Sequence, residues 1–350
     1  MNKKRFFEYG FRVGFLNAGA LRSIADVQGV TVGHVTKVEG SDVRTGITLV
    51  DPGVKNLYHD KIPAAFYAGN GTGKVAGISQ IEELGTLEAP IALTTTLSAG
   101  TVTQGMVALA LSSEKLESIQ TVNVFVGECN DGILNNIHKN SLAESDVKIA
   151  YENRKPDFEI GNVGAGTGTR LFSWKGGIGT ASRLVTVNGG TYTVGALVQT
   201  NYGGALEILG VPVGKLFSKT DYEGIVPDTD GSCMIVLATD APLTARQLKR
   251  LAKRAFMGLA KTGTIMRTVS GDFALAFTTS RVGLEGSGAI GQCLADADLT
   301  GPFLAAAESV EEAVYDALFA AETMRGRSGN VLEAINKEKV IDLLSRYGKT

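Results

Sequence analysis

The chain has 350 residues, a formal net charge of −2, 44% hydrophobic and 20% charged residues, the make-up of a globular protein with a sizeable core. That balance excludes a basic footprint for nucleic acid, and no apolar window approaches the roughly 20 residues of a membrane span. Forty-four glycines beside only 8 prolines, with no period, exclude collagen and disordered linkers and point to many tight turns.

Along the chain, MNKKRFFEYGFRVGFLNAG opens with a basic head but no apolar stretch of signal-peptide length. IPAAFYAGN reads as a poor strand. GKVAGISQIEELG (73–85) reads as a helix stopped by Gly85. PIALTTT (90–96) and VNVFVG (122–127) read as short buried strands, and GTVTQGMVALALSS (100–113) has helical spacing through Val102, Met106, Leu109 and Ala110. A glycine-rich tract, GNVGAGTGT (161–169) and KGGIGTASR (175–183), leads into strands LVTVN (184–188) and TVGALVQTN (193–201). FSKTDYEGIVPDTDG (217–231) is polar and reads as an exposed loop, followed at once by a buried strand, SCMIVLAT (232–239). Thr244 can cap a helix whose apolar face is Leu248, Leu251, Ala255, Phe256 and Leu259, with Gly263 beyond its end. SGDFALAFTTS (270–280) reads as a strand, and Ser309 with Glu312 as a capping box opening a helix to about Met324. No repeat or linker divides the chain, which predicts one large α/β domain with helices covering sheets.

Most familiar motifs fail. GNGTGK (69–74) has Ala68 where a phosphate loop needs glycine and Val75 where it needs Ser or Thr; Gly71, Gly73 and Ala76 match only the loose dinucleotide form. His34, His59 and His138 stand in unrelated contexts and read as structural or surface residues. Ser112 and Lys115 satisfy SxxK but end an ordinary helix, and no GxSxG is present. Cys129, Cys233 and Cys293 have no metal or disulfide spacing and suit a reducing compartment, which makes the cytoplasm the default.

One arrangement has a chemical logic of its own. Gly231 and Ser232 stand where the polar loop meets the buried strand. A serine there can attack the carbonyl that precedes it if the peptide is strained, and glycine leaves the approach open. The cut frees an α-amine that titrates near pH ~8 and can act as the base for its own hydroxyl. On the residues alone, a plain Gly-Ser turn is the better reading, since Gly-Ser pairs before strands are common.

IADVQGVTVGH (24–34), RTGITLVDPG (44–53), GNGTGKVAG (69–77), LTTTLSAG (93–100), VGECNDG (126–132), GAGTG (164–168), KGGIGTASR (175–183), VQTNYGG (198–204), DGSCMIVLATDAPL (230–243) and SGDFALAFTT (270–279) together resemble the L-aminopeptidase/D-esterase and β-peptidyl aminopeptidase family, peptidase family S58. The resemblance spans nearly the whole chain. It implies a four-layer αββα sandwich of the N-terminal-nucleophile type, a single catalytic domain over 1–350 cut into 1–231 and 232–350, and a homotetramer of cleaved protomers. It implies small peptide, amide or ester substrates with a free amino group, and neither metal nor organic cofactor.

Residue roles follow from the same resemblance. Ser232 is the nucleophile, and Asn201 the amide that donates to the oxyanion. Ser270 and Asp272, two apart on a strand and so on one face, support proton transfer. Glu128 grips the substrate ammonium, which must be paired when buried, with Asn130 in the same pocket. Two departures stand out. SGD replaces the SGE of β-peptide-cleaving relatives, shortening the reach of Asp272, whereas Asn130 lacks the tyrosine of some α-peptide-cleaving ones. Cys233, next to the nucleophile, should point away from it into the core. The rival readings are an acyltransferase of the ornithine acetyltransferase type, which uses threonine as nucleophile, a nucleotide-binding oxidoreductase, and a non-catalytic oligomer.

Overall fold

The computed structural model describes residues 4–112, 119–221, 231–284, 286–289 and 291–349. Most of the polar loop expected at 217–231, and Lys115 of the SxxK pair, lie outside the described residues. The first half of the chain forms β1 (Thr31–Glu39), β2 (Val43–Asp51), β3 (Ile62–Gly71), β4 (Val75–Ala76), α1 (Ile78–Leu84), β5 (Thr86–Leu87), β6 (Ile91–Thr95), α2 (Ala99–Ser112), β7 (Phe125–Cys129) and α3 (Glu144–Glu152). The second half forms β8 (Arg170–Leu171), β9 (Trp174–Lys175), β10 (Ile178–Val187), β11 (Gly190–Asn201), α4 (Val213–Leu216), β12 (Gly231–Thr239), α5 (Ala245–Ala260), β13 (Ser270–Thr278), α6 (Thr300–Ala320), β14 (Met324–Arg325), β15 (Val331–Leu332) and α7 (Lys337–Arg346).

Two mixed sheets stack face to face. One has the order β1-β2-β6-β7-β4, the other β10-β11-β12-β13-β3-β5. Among the described residues each contains one parallel pair, β6 with β7 and β12 with β13, and the longest helix between the two strands is α2 in the first case and α5 in the second. Strand alternation sorts the apolar side chains into three layers of core. Met234, Val236 and Ala238 of β12 meet Leu93, Phe125 and Cys129 between the sheets. Cys233, Ile235 and Leu237 point the other way, into Leu248, Leu251, Ala255 and Val310 of α5 and α6. Val102, Met106, Val147 and Ala150 of α2 and α3 cover the outer face of the first sheet. The order is therefore helices, sheet, sheet, helices, and β12 is apolar on both faces because both are buried. Gly127 marks how closely the sheets approach: a Cβ there would stand 2.2 Å from the Met234 Cε.

Several expected elements are present with their signals working as chemistry requires. Thr244 Oγ1 accepts the Gln247 N–H at 3.3 Å and starts α5. Gly85 closes α1 in the left-handed region at φ 66°. Three expectations need correction. IPAAFYAGN is a strand, β3, whose proline lies near its start and pairs only with the short edge strand β5. GKVAGISQIEELG is split, with β4 before the helix. Ser309 and Glu312 do not open a helix, because α6 begins at Thr300 and both residues lie inside it. They serve tertiary contacts instead: Ser309 Oγ donates to the Val194 carbonyl at 3.1 Å, and Glu312 receives Arg183 at 2.5 Å. No described helix is long and apolar enough to cross a membrane.

Candidate active site

The parallel register of β12 on β13 and the antiparallel register on β11 line up Asn201, Ser232 and Gly271 as neighbours at one end of the sheet. Paired residues share a face, so the Ser232 side chain points with Met234 into the space between the sheets, as does Asn201. There Asn201 Nδ2 donates to Ser232 Oγ at 3.4 Å, and both side chains are buried. The orientation of the Asn201 amide is fixed from behind, since its Oδ1 accepts the Arg170 backbone N–H at 3.1 Å. Residues 170–172 are tied along the end of β11 by the Phe172 N–H to the Tyr202 carbonyl at 2.6 Å. An amide with its oxygen occupied presents its NH2 to the serine, the geometry of an oxyanion donor.

Ser270 and Asp272 do share a face, but not that of the Ser232 hydroxyl. Their register partners are Gly231 and Cys233, on the helix side of the sheet. Ser270 Oγ stands where it would be 2.9 Å from a Cβ on Gly231. The pair therefore flanks the peptide group preceding Ser232 rather than its hydroxyl. A Cβ at 231 would crowd the Ser270 hydroxyl and make it turn aside; the glycine sits in extended strand backbone, not in a left-handed conformation. Both Asp272 oxygens and Ser270 Oγ are buried without a fully formed hydrogen bond. Burial pushes the Asp272 carboxyl up to about 6, with the nearby Ser270 hydroxyl opposing the rise.

Glu128, near the end of β7, is buried, and its Oε1 accepts the Lys74 backbone N–H at 3.0 Å, with Lys74 Nζ at 3.7 Å. No hydrogen bond or ion pair links Glu128 to Ser232 among the described residues. The glycine loop that resembled a phosphate site thus has its Lys74 N–H taken by a carboxylate, whose negative charge would repel a phosphate. Asn130 Oδ1 accepts the Gly132 N–H at 2.8 Å, and Asn130 lines a cavity of about 350 Å³ together with Asn201. Cys233 is fully buried in the helix-side core, as its alternation requires.

Sequence reasoning missed two neighbours of the nucleophile. The Ser232 hydroxyl is a hydrogen-bonding neighbour of the Cys129 thiol, whose pKa burial raises strongly; Cys129 Sγ also donates to the Gln199 carbonyl at 3.5 Å. Cys129 sits two residues beyond Gly127 in VGECNDG, so strand alternation alone would have turned it toward the other sheet. Arg170 carried no signal beyond following the glycine tract. His34 is structural: its ring nitrogens meet Thr48 Oγ1 at 3.0 Å and the Glu159 carbonyl at 3.1 Å, and burial lowers its pKa to about 4. Among the described residues, no group of three His, Cys, Asp or Glu side chains could hold a metal ion.

Comparison with known proteins agrees with this geometry. The model of peptidase family S58 matches residues 22–332. The β-peptidyl aminopeptidase BapA of Sphingosinicella xenopeptidilytica is 36% identical over 353 residues, covering 93% of this chain and 87% of that protein. A crystal structure of a Pyrococcus horikoshii OT3 protein superposes with a TM-score of 0.92 at 41% identity, covering 99% of this chain and 100% of the other. The L-aminopeptidase D-Ala-esterase/amidase of Ochrobactrum anthropi superposes with a TM-score of 0.89 at 33% identity over 99% of both chains. That enzyme is described as a prototype serine aminopeptidase and a variant of the Ntn hydrolase fold, and the four layers found here are the same fold.

Proposed function

The chain belongs to peptidase family S58, and on that footing we propose that it is a self-processing serine aminopeptidase for small peptides, amides or esters with a free amino group. The observation that carries the reading is the Asn201 amide, locked by Arg170 and donating at 3.4 Å to the hydroxyl of Ser232 at the start of β12.

Processing begins when Ser232 Oγ attacks the Gly231 carbonyl carbon. The Gly231–Ser232 C–N bond breaks, the nitrogen takes up the hydroxyl proton, and an ester joins Gly231 to Ser232 Oγ. Water hydrolyses that ester, leaving the chains 1–231 and 232–350 of one catalytic domain. Ser232 now carries a free α-amine, the base its hydroxyl otherwise lacks. Ser270 Oγ beside Gly231, and Asp272 on the same face, are positioned for that amine rather than for the hydroxyl. Asp272, ionised above about pH 6, balances the charge when the amine holds a proton.

In turnover, Glu128 pairs with the substrate ammonium in competition with Lys74, and Asn130 lines the cavity on the Asn201 side of the nucleophile. Ser232 Oγ attacks the first carbonyl, its proton passing to the α-amine. Asn201 Nδ2 donates to the oxyanion, the amine or alcohol leaves with a proton, and water releases the acyl group. Relatives named for β-peptidyl and for L-amino acid substrates suggest both classes as first trials. The resemblance also supports a tetramer of cleaved protomers, and three free thiols suit the cytoplasm.

Ser232→Ala assayed on the p-nitroanilides of L-Ala and β-Ala tests the reading. The expected result is an uncut chain and a loss of about 10⁴-fold or more. Retention of full activity overturns it.

A further inference from the structure

One row of paired residues crosses the end of the six-stranded sheet: Asn201, Ser232, Gly271 and Gly71. Adjacent strands stand roughly 5 Å apart, so the row spans about 15 Å with the nucleophile inside it. Past Gly71, the chain reaches Lys74, where its backbone meets Glu128. At the opposite end, beyond Asn201, lies the cavity of about 350 Å³, at the small end of ligand pockets. Its lining includes Arg170 and Arg327 and, among the described residues, no carboxylate.

Arg327 is held there by the local chain. It sits in the turn joining β14 to β15, and that turn is clamped to the turn after Asn130. The Arg327 N–H donates to the Leu134 carbonyl at 2.7 Å, and Asn330 Nδ2 to the Ile133 carbonyl at 2.9 Å. The clamp has no slack, for a Cβ at Gly326 would come within 2.2 Å of the Leu134 carbonyl oxygen. Arg327 is half-buried, and its side chain has no hydrogen-bond or ion-pair partner among the described residues. Arg170 is fixed by its main chain, through the bond to Asn201.

A guanidinium without a partner beside a small cavity favours an anion there, and its planar fork matches a carboxylate bidentately. A substrate with its ammonium at Glu128 and its carbonyl between Ser232 and Asn201 extends its leaving group toward this cavity. In a dipeptide, the free carboxylate lies one residue past the scissile nitrogen. We propose that Arg327, with Arg170, forms a carboxylate subsite for the leaving group, so that dipeptides with a free C-terminus are the preferred substrates. This rests on the aminopeptidase reading above.

The test compares kcat/KM for L-Ala-L-Ala and β-Ala-L-Ala with that for their C-terminal amides, using the wild-type enzyme, Arg327→Ala and Arg327→Lys. The wild type should favour the free acid at least about tenfold. Arg327→Ala should bring the acid-to-amide ratio close to one, and Arg327→Lys should restore it in part, as a point charge without the fork. Hydrolysis of L-Ala and β-Ala p-nitroanilides, which lack a carboxylate, tests the underlying reading separately. Anilide hydrolysis with equal rates on acid and amide in the wild type, or an unchanged ratio in Arg327→Ala, overturns the subsite alone. No hydrolysis of any of these substrates overturns the aminopeptidase reading and the subsite with it.

Discussion

Asp272→Asn, made in the Ser232→Ala background so that the chain stays uncut, should stabilise the protein at neutral pH and not at acid pH. Asp272 is 1% exposed, both its oxygens lack a complete hydrogen bond, and burial pushes its carboxyl up to about 6 from 3.8. A tenfold change in proton affinity corresponds to about 1.4 kcal/mol, so the ionised form costs about 3 kcal/mol once fully deprotonated. The sign follows from proton counting. Between about pH 4 and pH 6 the native chain holds a proton that the unfolded chain has lost, so stability falls as pH rises through that window. Asparagine removes the charge but keeps a buried polar group, which returns a kcal/mol or so and leaves a net gain of about 1–2 kcal/mol at pH 8. Asp131 and Asp316 are raised to about 6 as well and slope the same way, so the quantity to measure is the difference between parent and variant. Urea unfolding at about pH 4.5 and pH 8, with m-values compared, gives it. A difference that is the same at both pH values would refute the reasoning, because ionisation would then not be its source.

Three further outcomes follow from the geometry. Asn201→Ala should lower kcat by about 10²–10³ with little change in KM, the cost of one oxyanion donor, and a pure KM effect in steady-state assays would remove Asn201 from that role. Glu128→Gln should cost about 10²-fold in kcat/KM on free-amine substrates, about the 3 kcal/mol typical of truncating a buried charge pair, and equal loss on N-acetylated substrates would show that Glu128 does not read the ammonium. Alkylation at neutral pH followed by mass spectrometry should modify partly exposed Cys293 first and leave Cys129 and Cys233 intact in the folded protein, since burial raises both their pKa values strongly.

Local chemistry made some of this legible. The Thr244 cap, the Gly85 stop and the apolar strands β12 and β13 depend on residues close in sequence, and they form as expected. Alternation alone sent Cys233 into the helix-side core. It could not reveal the face of Ser270 and Asp272 relative to Ser232, because that depends on the parallel register of β12 on β13, which no single strand carries. Ser309 and Glu312 imitate a capping box within α6 because their partners, Val194 and Arg183, lie more than a hundred residues away. Arg170 and Arg327 meet at one cavity only through tertiary packing, so neither had a local pattern to find. The resemblance supplied the order of ten motifs; the structure supplied which atoms those motifs bring together.

N-terminal sequencing of the active enzyme, read beside its denaturing gel, bears most directly on the central claim. The account predicts two chains of about 24 and about 12 kDa, in proportion to 231 and 119 of 350 residues in a 36.7 kDa protein, with a second sequence beginning Ser-Cys-Met-Ile-Val. Active protein that yields only the sequence beginning at residue 1, in a single band, would contradict it.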